Sequence, residues 1–369
     1  MIHHRTPEFD QILKRVLLRL KKIFFTQEDV FILTSTGSGG MESLIVNTLE
    51  KNDKVLLIDS GKFGERWGEM IQTFGGQLHT IKLEWGQALD PQQLIDFLNS
   101  NPDTKLVLTQ ACETSTGVSH PIQEMGQILK SHPHTLFLVD AITALGAFPL
   151  KMDDWGIDGL VGGSQKAFML PTGLAFVSFS QKAWKKIATN STPRFYFDIR
   201  KEKKANQNGE TFFSSNVTLI RALDEVLNIL DEVGYDQLFK IISERAQMTR
   251  HFGPQLGFQL FAKSPSDSVT ALLLPTNLDP KKYDGQKIRS LLESKYHITI
   301  MGGQDQAKGK ILRIGHMGYI TAASMVDLFE KLYLVIQELY PDWPLPDSQK
   351  FSNELKSYVS NQISNWDFK

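Results

Sequence analysis

The sequence predicts an α/β fold: a mostly parallel sheet covered by helices on both faces, followed by a smaller C-terminal α+β domain. Three observations predict it. From Asp29 to Phe179, short runs rich in Val, Ile, Leu and Phe alternate with stretches of helical periodicity, the signature of a parallel sheet buried on both faces. Glycine- and hydroxyl-rich segments follow several of these runs, where open α/β sheets carry their ligand loops. Beyond Gly209 the pattern changes to long helices with a few short strands. At 369 residues the chain exceeds one typical domain. It divides into a large domain over 1–235, a small domain over 236–345 and a C-terminal tail over 346–369.

The net charge of -1 argues against a nucleic-acid or anionic-membrane partner held by bulk electrostatics. A single cysteine, Cys112, excludes an intrachain disulfide and a Cys-rich metal site. It also fits a reducing compartment, so a cytoplasmic location is expected. No apolar run reaches the roughly 18 residues of a membrane span.

In chain order, His3 to Phe9 reads as a polar entry broken by Pro7. Gln11 to Phe25 reads as a surface helix, with Ile12, Val16, Leu17 and Leu20 near helical spacing. Glu8 and Asp10 argue against reading it as a targeting peptide. Strands are expected at Asp29–Ser35, Asp53–Asp59, Gln77–Leu83, Lys105–Thr109, Thr135–Asp140, Ile157–Val161 and Leu174–Phe179.

After the first strand, Thr36-Gly37-Ser38-Gly39-Gly40 reads as a turn into a helix over Ser43–Leu49. Glycines permit a tight turn, and a helix N-terminus offers free N–H groups to an anion. The segment lacks the Lys-Ser/Thr pair of a Walker loop and the last glycine of a dinucleotide fingerprint, so an anion cradle fits it better than a nucleotide site. Gly61 to Arg66 opens the next helix. Phe63 there either stacks on a ring or plugs the core. Pro91–Asn99 reads as a helix capped by Asp90, and Ile122–Lys130 as another. Thr114, Ser115 and Thr116 follow a strand and either donate to a ligand or cap turns. Asp140 ends an apolar strand, where a carboxylate needs a cation or hydrogen-bond donors; it either meets a ligand or caps the next helix.

Lys166 carries the only charge between Val161 and Ser180. Desolvation disfavours an ammonium, lowers its pKa and frees an amine that can attack a carbonyl. The alternative is a lysine reaching from a loop to water. One ligand with a phosphate, a flat ring and an aldehyde would use Thr36–Ser38, Phe63, Thr114, Asp140 and Lys166 together.

In the second half, Pro193 to Asn208 reads as an exposed basic crossing. Val217–Val233, Gly285–Tyr296 and Ala322–Leu339 read as helices, and Ser268–Leu274, Ile298–Met301 and Lys310–Arg313 as strands. His316 has no assigned role.

The ordered set HRTPEF (His4–Phe9), TGSGGME (Thr36–Glu42), GKFGER (Gly61–Arg66), ETSTGV (Glu113–Val118), VDAITALG (Val139–Gly146), GSQKAFMLPTG (Gly163–Gly173) and RIGHMGY (Arg313–Tyr319) resembles class V aminotransferases. These have the type I pyridoxal phosphate (PLP) fold, and the resemblance is to the alanine–glyoxylate and serine–pyruvate branch. It covers nearly the whole chain. It implies PLP as cofactor, with Lys166 as the Schiff-base lysine, Asp140 on the pyridine nitrogen and Phe63 stacked on the ring. Thr36, Gly37 and Ser38 would hold the phosphate, Thr114 the ring-hydroxyl side, and Gln165 would help hold the cofactor. Arg313 would bind the substrate carboxylate. Thr211 and Ser214 would reach the phosphate of a second subunit, making a homodimer with shared active sites.

The implied activity moves an amino group from a small amino acid of alanine, serine or aspartate type to a 2-oxo acid such as glyoxylate or pyruvate. Alternatives are a cysteine desulfurase-like lyase using Cys112, and a weakened subunit of the same fold. Two departures stand out. Ser214-Ser215-Asn216 replace the usual Thr-Pro-Ala, with Arg221 in place of a common aromatic. Roughly twenty residues usually precede the HRTPEF segment, so either the start is cut short or the substrate pocket lacks one wall.

Overall fold

The computed structural model describes residues 2–277, 279 and 282–366; residue 1 of the expected large domain, residues 278, 280 and 281 of the small one and 367–369 of the tail lie outside these. The chain opens with α1 (Pro7–Phe24), β1 (Val30–Leu33), α2 (Gly37–Thr48), β2 (Lys54–Asp59), α3 (Lys62–Thr73), β3 (Gln77–Lys82), α4 (Pro91–Ser100) and β4 (Leu106–Gln110). A short hairpin follows, β5 (Cys112–Glu113) and β6 (Val118–Ser119), then α5 (Ile122–Leu129), β7 (Leu136–Asp140), β8 (Gly159–Gly163) and β9 (Ala175–Phe179). Helices α6 (Gln181–Thr189), α7 (Ile199–Gln207), α8 (Val217–Val233) and α9 (Tyr235–Gln255) lead to β10 (Gln259–Leu260) and β11 (Val269–Leu273). The chain continues through α10 (Gly285–Tyr296), β12 (Met301–Gly302), β13 (Ile311–Gly315), α11 (Ala322–Leu339) and α12 (Ser348–Gln362).

The first sheet has seven strands in the order β1-β9-β8-β7-β4-β2-β3. Its strands are parallel except β9, which runs antiparallel to both β1 and β8. Alternation divides each strand between two cores. Val107, Phe137, Val139 and Leu160 face the core closed by α1 and α8. Leu106, Leu108, Leu136, Leu138 and Val161 face the core with Met41 and Leu44 of α2, Trp67 of α3 and Ile187 of α6. A βαβ succession turns every parallel strand the same way, so their carboxyl ends share one edge of the sheet.

The second sheet is antiparallel, four strands in the order β10-β11-β13-β12. Phe252, Ile288, Phe329 and Leu332 from α9, α10 and α11 build its core. Helix α12, in the stretch expected to be a tail, adds buried Phe351 and Leu355 to it. The β5–β6 hairpin stitches the two sheets together: Ser119 N–H donates to Ser264 O at 2.8 Å, and Ser266 N–H to Gly117 O at 2.9 Å.

Several expectations need correction. Helix α1 starts at Pro7 rather than beyond it, because Pro at the first helical position needs no N–H partner and Thr6 accepts from Phe9 N–H at 3.4 Å. Its buried stripe is Phe9, Leu13, Val16 and Leu20; Ile12 and Leu17 flank it. The glycines at 37, 39 and 40 are not a turn but the first turn of α2. Gly40 lies where a Cβ would come within 2.6 Å of Val161 and 2.9 Å of Ala175, so the helix sits directly on the sheet. The crossing over 193–208 contains α7, where buried Glu202 accepts from Phe212 N–H at 3.0 Å. The strand expected at Ile298–Met301 is displaced to Met301–Gly302.

Candidate active site

The shared carboxyl edge gathers one cavity of about 200 Å³. Thr36, Gly37, Ser38, Phe63, Thr114, Asp140, Gln165 and Lys166 all line it, joined by Arg66, Ile142 and Thr143. They arrive in groups, after β1, β2, β5, β7 and β8, so the sheet brings together residues far apart in sequence.

Lys166 sits in a closed loop after β8. Ser164 pins that loop, donating its hydroxyl to Pro171 O at 2.7 Å and accepting Leu174 N–H at 3.2 Å. Met169 takes the left-handed backbone conformation at φ 57°, which turns the chain back. Burial, helped by the Arg313 charge, holds the Lys166 ammonium below the usual lysine range. Asp140 is buried at the end of β7, and burial pushes its carboxyl up to about 7. Its Oδ1 accepts Ile142 N–H at 2.8 Å. The segment after β7 is a run of turns, so Asp140 closes a turn rather than capping a helix, and its carboxylate lines the cavity.

Thr36 caps α2 through its backbone alone; its side chain makes no capping bond. The first N–H groups of α2 thus open onto the cavity with the positive end of the helix dipole behind them. Phe63 stands in the first turn of α3. Fully buried Glu113 holds that turn: its carboxylate accepts N–H bonds from Phe63 (3.1 Å) and Gly64 (3.0 Å), and from Ser115 both N–H (3.1 Å) and hydroxyl (2.6 Å). Gly61 makes the close approach possible, since a Cβ there would lie 2.4 Å from Ser115 Oγ. Thr114 Oγ1 shares a hydrogen bond of 2.7 Å with Thr143 Oγ1. Gln165 Oε1 is buried with no partner among the described residues. A buried, unsatisfied acceptor costs about 1–3 kcal/mol, and a ligand donor in the cavity would relieve that cost.

Arg313 does not line the cavity. Its Nε donates to Gly302 O and its Nη1 to Thr114 O, both at 2.8 Å, leaving Nη2 as its remaining edge. Thr211 and Ser214 are also outside it. They border a separate groove with Thr34, Tyr196 and Phe213, and Thr211 Oγ1 donates to Phe213 O at 2.8 Å. Cys112 is buried, with Ser268 Oγ donating to its Sγ at 3.2 Å, and burial pushes the thiol up to about 11. That is a packed thiol, not a nucleophile on a mobile loop. His316 is likewise buried, pushed down to about 3 by burial, and paired with Thr270 Oγ1 at 3.0 Å.

Sequence reading missed Arg66 and Thr143. Arg66 closes the GKFGER segment, but its direction depends on how α3 sits on the sheet. Thr143 lies three residues after Asp140, in a segment read only as motif.

The residues present fit PLP in three respects. A buried carboxylate with a raised pKa can take a protonated ring nitrogen. An uncapped helix N-terminus can take a phosphate. A desolvated lysine amine can take an aldehyde.

The family profile described as Aminotransferase class-V matches residues 1–328. The soluble hydrogenase 42 kDa subunit of Anabaena cylindrica is 36% identical over 92% of this chain and 88% of its own length. The L-aspartate–glyoxylate aminotransferase of Paracoccus denitrificans is 34% identical over 92% of this chain and 86% of its own. The ureidoglycine–glyoxylate aminotransferase structure from Bacillus subtilis shares the fold at a TM-score of 0.88, with 24% identity, covering 96% of this chain and 92% of that one. With its profile match, its relatives and its cavity in agreement, the chain belongs to the class V aminotransferase family, whose cofactor is PLP.

Proposed function

We propose that this chain transfers an amino group from a small amino acid of alanine, serine or aspartate type to glyoxylate or pyruvate. One observation carries the reading: Lys166, Asp140 and the open N-terminus of α2 meet around one cavity. When bound, PLP supplies an aldehyde for an amine and a ring that accepts electrons from a substrate carbon. Lys166 Nζ, held below the ordinary lysine range, is the amine that would hold that aldehyde. The same Nζ would serve as the base that takes the proton from the donor's α-carbon. Asp140 would hold a proton on the ring nitrogen, and Phe63 would support the ring face. Thr36, Gly37 and Ser38 would bind the phosphate; Thr114 and Gln165 would orient the ring substituents. Arg313 binds the substrate carboxylate through its Nη2 edge.

The domain division at 235 and 345 is part of this proposal. So is a homodimer in which Thr211 and Ser214 reach the partner's phosphate. Exposed Phe195, Tyr196 and Phe212 beside those two residues support it, since clustered exposed aromatics mark interaction surfaces. A cytoplasmic location is proposed from the free thiol of Cys112; among the described residues no helix is long and apolar enough to cross a membrane.

A second reading, a subunit of the same fold with little turnover, is supported by the name of the Anabaena relative. Amino transfer from L-alanine, L-serine and L-aspartate to glyoxylate and to pyruvate, assayed with wild type and Lys166→Ala, separates the two. Turnover abolished by the substitution supports the enzyme. Absence of turnover in the wild type with every pair supports the subunit.

A further inference from the structure

We propose that Arg66 is the counter-ion of the cofactor phosphate, so that each chain neutralises most of that charge itself. The inference rests on reading the cavity as the PLP site. Three positional facts carry it. The guanidinium lines the same cavity as Lys166 and Asp140. Its Nη1 donates to Ser38 Oγ at 3.0 Å, on the uncapped first turn of α2. Its carbon lies over the Phe63 ring, 5.0 Å from the centroid. Its hydrogen-bond partner is a neutral hydroxyl, and its charge reaches the buried carboxyl of Asp140 only through space, without a salt bridge.

Counting charge decides the role. A phosphate monoester carries close to two negative charges at neutral pH, whereas a helix N-terminus supplies roughly half a positive charge. Of the cavity-lining groups only Asp140, Lys166 and Arg66 ionise. Asp140 is an acid, and Lys166 is committed to carbonyl chemistry. Arg66 alone offers a permanent positive charge, in a planar fork suited to phosphate oxygens. Thr211 and Ser214, even if contributed by a partner subunit, add hydroxyls without charge. Retention of the phosphate therefore depends more on Arg66 than on dimer contacts.

The test uses cofactor-free protein titrated with PLP and, separately, with pyridoxal, which lacks the phosphate. Binding is read from absorbance and tryptophan fluorescence rather than turnover, for wild type, R66Q and R66K. Loss of a charge-assisted contact predicts a PLP Kd about 10- to 100-fold higher in R66Q. The pyridoxal Kd stays within about 2-fold, which also reports that the variant is folded. R66K, a point charge without the fork, recovers part of the loss. Equal weakening of PLP and pyridoxal in both variants, or unchanged PLP binding in R66Q, overturns the inference while leaving the cofactor site intact. A wild type that binds PLP no more tightly than pyridoxal overturns the phosphate cradle and the inference with it.

Discussion

Asp140 shows how one buried group ties chemistry to stability. Its carboxyl is pushed up to about 7 by burial, partly offset by Ile142 N–H and the charges of Arg66 and Lys166. The folded cofactor-free protein therefore binds this proton more tightly than the unfolded chain does. Between about pH 4 and pH 7 the native state holds the extra proton, so stability falls as pH rises through that window. Asp140→Asn keeps an acceptor for Ile142 and removes the charge. Cofactor-free D140N should gain on the wild type from near zero at low pH to on the order of 2–4 kcal/mol at pH 8. Urea unfolding across pH checks this, and a pH-independent difference would contradict it. The same charge that burial disfavours is what a protonated ring nitrogen needs. D140N should accordingly bind PLP more weakly. Glu113 works differently: it accepts from the turn that carries Phe63 and from Ser115. Glu113→Ala strands those buried donors. It should destabilise the protein by about 3 kcal/mol or more in urea unfolding; a loss under about 1 kcal/mol would mean water replaces the carboxylate.

At the scale of elements, the site depends on how closely α2 lies on the sheet. A methyl at Gly40 would collide with Val161 and Ala175. Gly40→Ala should cost about 1–3 kcal/mol of stability and weaken PLP binding as the N-terminus of α2 lifts away. Unfolding curves and PLP titration measured together test the link; a stable variant with unchanged affinity would break it. Most of the large domain was legible in the sequence because buried strands are near-continuous apolar runs: β1, β2, β4, β7 and β9 follow such runs closely, β8 lies two residues beyond its expected bounds, and β3 is a half-exposed edge strand. The candidate residues at strand ends were legible for the same reason, since the topology alone carries them to one edge. What escaped reading lacks such a signal. Helix α7 is mostly charged, and its two buried side chains at its start, Ile199 and Glu202, are held by tertiary contacts. Helices α6, α9 and α12 join or follow segments whose burial depends on distant partners. Arg66 and Thr143 reach the cavity only through side-chain directions that local pattern does not set.

At the scale of the whole molecule, the hairpin β5–β6 places Thr114 between the two sheets, where its hydroxyl faces the cavity and its carbonyl accepts from Arg313. The candidate substrate arginine and the candidate cofactor pocket are thus coupled through one residue. Thr211 and Ser214 could not be placed in the cavity by any reading of a single chain, because the resemblance assigns them to a neighbour's site. The exposed aromatics beside them give that assignment a test. Phe195→Ser with Phe212→Ser should shift sedimentation from dimer to monomer at micromolar concentration, and an unchanged dimer would move the interface elsewhere.

The central claim is that Lys166 holds PLP in a site that accepts amino acids. It is tested most directly by the visible absorption spectrum of the purified protein, wild type and Lys166→Ala, before and after separate additions of L-alanine, L-serine and L-aspartate. The account predicts a yellow band in the wild type that bleaches with at least one of the three, and a changed band that persists through additions in Lys166→Ala. No band in the wild type after PLP is supplied, or an unchanged band and bleaching in the variant, would contradict it.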